Sequence, residues 1–116
     1  MENALTKVQN DQKLIQLWLH GRPSTTQEAY ERDVQHFLSR VGKTLMNVKL
    51  EDLQGYALHL QEKGLKERSI KRKLNAIKSL FTFATKLNYT RFNVAAALRL
   101  PKTTYTVAHR ILTQRD

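Results

Sequence analysis

The side chains with the most chemistry to offer lie close together, between residues 66 and 82: Lys66, Arg68, Lys71, Arg72, Asn75, Lys78, Ser79 and Thr82. Long cations reach phosphate oxygens and the acceptor edge of guanine. Short Asn, Ser and Thr side chains donate to phosphates or read bases where two surfaces approach closely. At about 100° per helical residue, Lys71, Asn75, Lys78 and Thr82 share one side, with Arg68, Arg72 and Ser79 flanking it, opposite a stripe that starts at Ile70. A solvated outer face usually mixes acids with bases, whereas this one has only Glu67, at its start. A helix of this pattern suits the major groove of double-stranded DNA. A second cluster, Thr25, Thr26 and Gln27, stands at a helix start, where free amides and the helix dipole favour a phosphate. Capping of that helix explains the same three residues equally well.

Charge along the chain points the same way. Residues 1–63 hold eight Lys/Arg and eight Asp/Glu, whereas residues 64–102 hold ten Lys/Arg against one acid, so nearly all of the formal +10 falls in one segment. A concentrated positive field is what a polyanion-binding surface requires, because counterions released from phosphates drive association.

Catalytic constellations are missing. With no cysteine there is no disulfide framework, thiolate nucleophile or cysteine-ligated zinc. His20, His36, His59 and His109 fall at no metal-ligand spacing, no glycine-rich phosphate loop is present, and no cofactor is expected. Tyr30 lies on an apolar arc, Tyr56 beside one, and Tyr89 after the long basic helix. Tyr105 stands free in the tail, without the arginine cluster a tyrosine nucleophile needs. The polar N-terminus carries no signal-peptide pattern and no apolar run is long enough to span a membrane, so a cytoplasmic protein is expected.

The elements that must position these residues are helical, since glycine and proline are scarce (4 and 2) and apolar residues recur at helical spacing throughout. The pattern predicts helices over 6–20, 24–41, 50–63, 67–87 and 94–98. The first presents Val8, Leu14, Ile15, Leu17 and Trp18 on its apolar side. The second starts at Ser24-Thr25-Thr26-Gln27, where the Ser24 hydroxyl would cap a backbone amide and Gln27 would reach back to close a capping box. Gly42 and Gly64 suit the left-handed position past the second and third helices. The fourth is the spine: Ile70, Leu74, Ile77, Phe81 and Ala84 form its stripe, and Leu80, Phe83 and Leu87 widen it, so neighbours must clasp it on two sides. The fifth follows a cap at Asn93. The expected core joins Tyr30, Phe37, Leu53, Leu60, Leu74, Ile77 and Phe81 in an all-α domain.

Several short patterns, in order, resemble the N-terminal core-binding domain of tyrosine recombinases, the phage-type integrases. These are Ser24-Thr25-Thr26 followed by Tyr30, Asp33 and Phe37; Asp52-Leu53 and Leu60 ahead of Gly64; Ser69-Ile70 leading to Leu74-Asn75-Ala76-Ile77 and Phe81 with Phe83; Asn93 with Ala95; and Arg110-Ile111-Leu112-Thr113. The resemblance implies a compact fold of four to five helices like the sterile alpha motif, with helical hairpins packed crosswise. It implies a lead-in over 1–23, the core-binding domain over 24–102, and a linker over 103–116 toward a catalytic domain beyond this chain. Such a domain clamps one face of a recombination site, its second and fourth helices toward the DNA, while the other domain cuts. The chain itself is then no enzyme, is bacterial or phage-encoded and nucleoid-associated in the cytoplasm, and meets other protomers in a synaptic tetramer. The sequence departs from the family in having Lys49 and Lys66, not Ser, Thr or Asp, ahead of the third and fourth helices, and Val94 where proline is common. Two other readings remain: a helix-turn-helix transcription regulator with Gly64 in the turn, for which a reader helix of about twenty residues is unusually long, and a helical protein-interaction module with no affinity for DNA.

Overall fold

A computed structural model describes residues 4–100, those before residue 10 by their backbone alone. Four α-helices follow one another: α1 (Ala4–Leu19), α2 (Ser24–Val41), α3 (Leu50–Glu62) and α4 (Glu67–Lys86). Short 3-10 turns lie at Leu45–Asn47 and Val94–Ala97. No strand occurs among the described residues. The expected fifth helix is therefore a single 3-10 turn, and its N-cap residue, Asn93, makes no side-chain cap bond. Val94-Ala95-Ala96-Ala97 is too short a segment to sustain an α-helix before Pro101.

Helices α2 and α4 pack on each other at the centre, α1 and α3 each pack against both, and the Val94–Ala97 turn lies on α3 and α4. The clasping of α4 on two sides, expected from its wide apolar stripe, follows from this arrangement. Seven of its residues are buried: Ile70, Leu74, Ala76, Ile77, Leu80, Phe81 and Ala84. Facing them are Ile15 and Trp18 of α1, Val34 and Phe37 of α2, and Leu53, Tyr56 and Leu60 of α3, in one continuous core. Six of the seven expected core residues are fully buried, and Tyr30 is half-buried, packed against the core's edge. Leu17 and Leu87 depart from expectation, both being more than half exposed. Leu17 lies on the outer side of α1, and Leu87 is already past the end of α4.

The start of α2 also differs from expectation. Pro23, with φ −56° and ψ 148°, is the N-cap residue, no side chain caps the helix, and Ser24 is its first helical residue. Proline's fixed φ sets the chain at the helix entrance without help from the Ser24 hydroxyl. The Gln27 side chain instead donates to the Arg22 carbonyl at 2.8 Å. At the other end Gly42 adopts φ 72°, its amide bonding back to Leu38. The missing cap ahead of α3 is compensated from inside: the Asp52 carboxylate accepts from the Lys49 amide and from the Lys43 ammonium, both at 2.9 Å, and these donors pull its carboxyl below the usual range.

A buried carboxylate ties α1 to the connections at the far side of the domain. Asp11, 3% exposed, accepts from the Leu45 amide at 2.9 Å and from the Tyr89 hydroxyl. Burial pushes its carboxyl up from the ordinary 3.8, with the two hydrogen bonds pulling the other way. The folded state thus holds this proton more tightly than the unfolded chain. Asp11 therefore favours folding most at acid pH, and that contribution is lost as pH rises through its raised value. Asp11→Asn removes the titration but keeps an acceptor for the Leu45 amide. In urea denaturation from about pH 4 to about pH 7, the stability of Asp11→Asn relative to wild type should climb with pH. A flat difference would show that Asp11 titrates as in the unfolded chain.

Candidate nucleic-acid interface

Helix α4 turns a continuous polar face outward. Arg68, Arg72, Asn75 and Thr82 are exposed and Lys71 is half-buried, all on the side away from Ile70, Leu74 and Ile77. Lys66, the N-cap residue, is exposed and makes no side-chain cap bond. The helix therefore presents its cations from its first turn, with Glu67 the one acid there.

Lys78 and Ser79 occupy the margins of this face and have internal partners. The Lys78 ammonium donates to the Ala95 and Leu98 carbonyls at 3.1 and 2.8 Å, closing the end of the Val94–Ala97 turn. The Ser79 hydroxyl accepts from the Trp18 indole at 3.0 Å, locking α1 onto α4. Thr82 donates to the Lys78 carbonyl and accepts from the Asn93 side-chain amide at 3.2 Å. At the α2 start, Thr25 is exposed, while Thr26 and Gln27 are half-buried. The first turn of α2 bears no acid and no side-chain cap, which leaves its leading amides without the hydroxyl partner the sequence suggested. One turn later Tyr30 stacks on Trp18, ring centroids 5.4 Å apart, with the Arg22 guanidinium over both rings. The α2 start is thereby linked to the middle of α4 through Trp18 and Ser79.

Between α2 and α4 lies a carboxylate whose role the sequence reading missed. Asp33 is fully buried; Arg72 donates to its two oxygens through Nε and Nη2, both at 3.2 Å, and Lys73 donates at 2.9 Å. The signal was present, because Asp33 sits among Tyr30, Val34 and Phe37, on the apolar arc of α2. An acid on such an arc calls for a buried cation. Its negative charge, after burial itself, helps push the nearby Tyr56 hydroxyl up to about 12. Tyr56 packs edge-on against Phe37, and its oxygen lies 2.9 Å from His36 Nδ1.

Among the described residues no group of His, Cys, Asp or Glu could hold a metal ion, and no helix is long and apolar enough to cross a membrane. Tyr105, His109 and the segment from Arg110 to Thr113 lie outside the described residues, as does the expected linker over 103–116.

Comparison with known proteins places this helical domain in a described family. Residues 12–88 match the family described as "Phage integrase, N-terminal SAM-like domain", and the chain belongs to that family. Relatives include tyrosine recombinase XerD of Rickettsia conorii, 32% identical over 77 residues, covering 64% of this chain and 25% of the relative. The SPbeta prophage-derived probable integrase/recombinase YopP of Bacillus subtilis is 33% identical over 108 residues, covering 78% and 30%. Tyrosine recombinase XerD of Bradyrhizobium diazoefficiens is 31% identical over 102 residues, covering 80% and 32%. The chain thus spans between a quarter and a third of the length of these relatives. No solved structure matches it significantly.

Lys78 is held by two carbonyls, so shortening it should do more than remove a surface charge. Lys78→Ala is expected to destabilise the domain by about 2 kcal/mol, the range for hydrogen bonds from a charged donor. Lys13→Ala, on the exposed side of α1, should change stability by less than about 0.5 kcal/mol. Urea denaturation of both variants measures the contrast, and equal losses would mean that the contacts of Lys78 carry no net stability.

Proposed function

We propose that this chain is the DNA-gripping module of a site-specific tyrosine recombinase, and that it clamps one face of a recombination site in double-stranded DNA. The contact surface is the outer face of α4, from Lys66 and Arg68 through Lys71, Arg72 and Asn75 to Thr82, with Lys78 and Ser79 at its edge. Thr25, Thr26 and Gln27 add the amide end of α2. Strand cleavage and rejoining belong to a further domain of the parent recombinase, and the module assembles with other protomers around paired sites. One observation carries the reading: in a member of the integrase N-terminal family, the central helix buries its apolar side and turns outward a face whose only acid is Glu67.

The two arms of the surface differ in kind. Lys66 and Arg68 are exposed, with heads suited to diffuse phosphate contact, which provides affinity and salt dependence without sequence preference. Asn75 and Thr82 are short and stand on the same face, where only a closely approaching groove reaches them.

Replacing Lys66 and Arg68 together by Ala should weaken binding to duplex DNA and flatten the dependence of log affinity on log salt by about 2 units, one per lost phosphate contact. Both side chains are exposed, so folding should be retained, which circular dichroism checks. The charge-matched control replaces Lys13 of α1 and Lys49 ahead of α3. Equal slopes for wild type and the α4 variant, or an equal loss in the control, would remove α4 from the interface. Absence of any gel shift at low salt would favour a protein-interaction module. The chain should also leave a supercoiled plasmid unrelaxed. Relaxation abolished by Tyr105→Phe would overturn the assignment of cleavage to another domain.

A further inference from the structure

Arg72, on the outer face of α4, is held by an acid from inside the domain. Its Nε–H and one Nη2–H are both given to the buried carboxylate of Asp33 on the neighbouring helix. A guanidinium has five N–H donors in one plane. The Asp33 contact uses the Nε side of the fork, which leaves the terminal edge, with N–H groups from both Nη1 and Nη2, directed away from the carboxylate. The Arg72 side chain is 46% exposed although its acceptor is fully buried, so the side chain reaches the surface while its Nε edge is bound inside. Two parallel N–H donors in a fixed plane match the O6 and N7 acceptors that guanine displays in the major groove.

Charge fits the same use. Paired with Asp33 alone, Arg72 would present a neutralised head. Lys73 also donates to Asp33, from a side chain only 19% exposed, so two cations share one anion and the cluster keeps a net positive charge at its open end. Neither Lys66 nor Arg68 has such a brace among the described residues, and a cation free to turn suits phosphates better than base edges. Stability alone is a weak explanation of the arrangement, since replacing all members of a buried ion cluster by well-packed apolar side chains is often no less stable. What a carboxylate there does, and an apolar residue would not, is fix the plane and direction of the guanidinium before DNA arrives.

We infer that Arg72 is the guanine-reading residue of this surface, and that Asp33 is the positioning residue that aims it. The inference rests on the DNA-binding reading above and adds a base preference to it.

The test selects duplexes from a random-sequence library with the full chain. It then measures binding of the selected duplex, and of versions in which each guanine in turn is replaced by 7-deazaguanine, which lacks the N7 acceptor. Wild type should lose roughly tenfold or more at one guanine. Arg72→Lys keeps the charge but not the fork, so it should bind the selected duplex more weakly by a similar factor, ignore the 7-deaza change at that guanine, and keep the wild-type salt slope. Asp33→Asn should lose the same discrimination while circular dichroism shows it folded. If it does not fold at the assay temperature, Asp33→Glu, which displaces the fork and keeps the charge, provides the same measurement. Discrimination retained in Arg72→Lys, or no guanine sensitive to N7 in wild type, overturns the role of Arg72. Discrimination intact in a folded Asp33 variant overturns the role of Asp33. If no duplex is enriched at any salt, the DNA-binding reading itself fails and this inference falls with it. If the 7-deaza contrast alone is missing, the DNA-binding reading stands.

Discussion

The contact between α2 and α4 is the constraint on which the other elements depend, because α1 and α3 each need both helices to complete their own burial while packing little on one another. Val34 and Phe37 of α2 are buried there, and the seven buried residues of α4 extend from this seam to its flanks on α1 and α3. With each fully buried large apolar side chain contributing about 1.5–3 kcal/mol, the seam outweighs any single polar contact in the domain. Its geometry leaves only one side of α4 for solvent. The placement of the basic face is therefore a by-product of the core: once the stripe from Ile70 to Ala84 is inside, Arg68, Asn75 and Thr82 have nowhere to go but out.

Polar groups inside this fold act as fasteners between elements that are distant in sequence. Asp11 joins α1 to the Leu45 amide and to Tyr89, Ser79 joins α4 to Trp18, and Lys78 joins α4 to Ala95 and Leu98. Each contributes little net stability compared with the apolar seam. Each also fixes a register that apolar packing alone leaves loose, because a misplaced partner would leave a buried donor or acceptor unmatched.

Four of the five expected helices, their bounds to within about two residues, and most of the core were legible because they follow from periodicity, and the periodicity of α4 is strong. What periodicity could not supply was partnership. Lys78 and Ser79 fall on the polar side of a helical wheel, and nothing local reveals that the turn after α4 brings two carbonyls to one of them, or that Trp18 reaches the other from 61 residues away. Ser24 has the composition of a cap, but the proline before it takes that position. Asp33 was visible as part of a family pattern, and its physical meaning depended on α4 lying across α2 with Arg72 and Lys73 at the crossing. The wheel located the basic face; only the fold distinguishes cations that are braced from cations that are loose.

Trp18, the chain's one tryptophan, stands where three helices meet: it belongs to α1, stacks on Tyr30 of α2 and donates its indole N–H to Ser79 of α4. The arrangement makes the domain its own optical gauge. Indole emission responds to the polarity around the ring and to the hydrogen bond at its nitrogen, so the intrinsic fluorescence of the native chain reads out the seating of α1 on the α2–α4 pair without any attached dye. A structural fastener thus doubles as a built-in spectroscopic reporter, located behind the surface that would meet DNA and outside it.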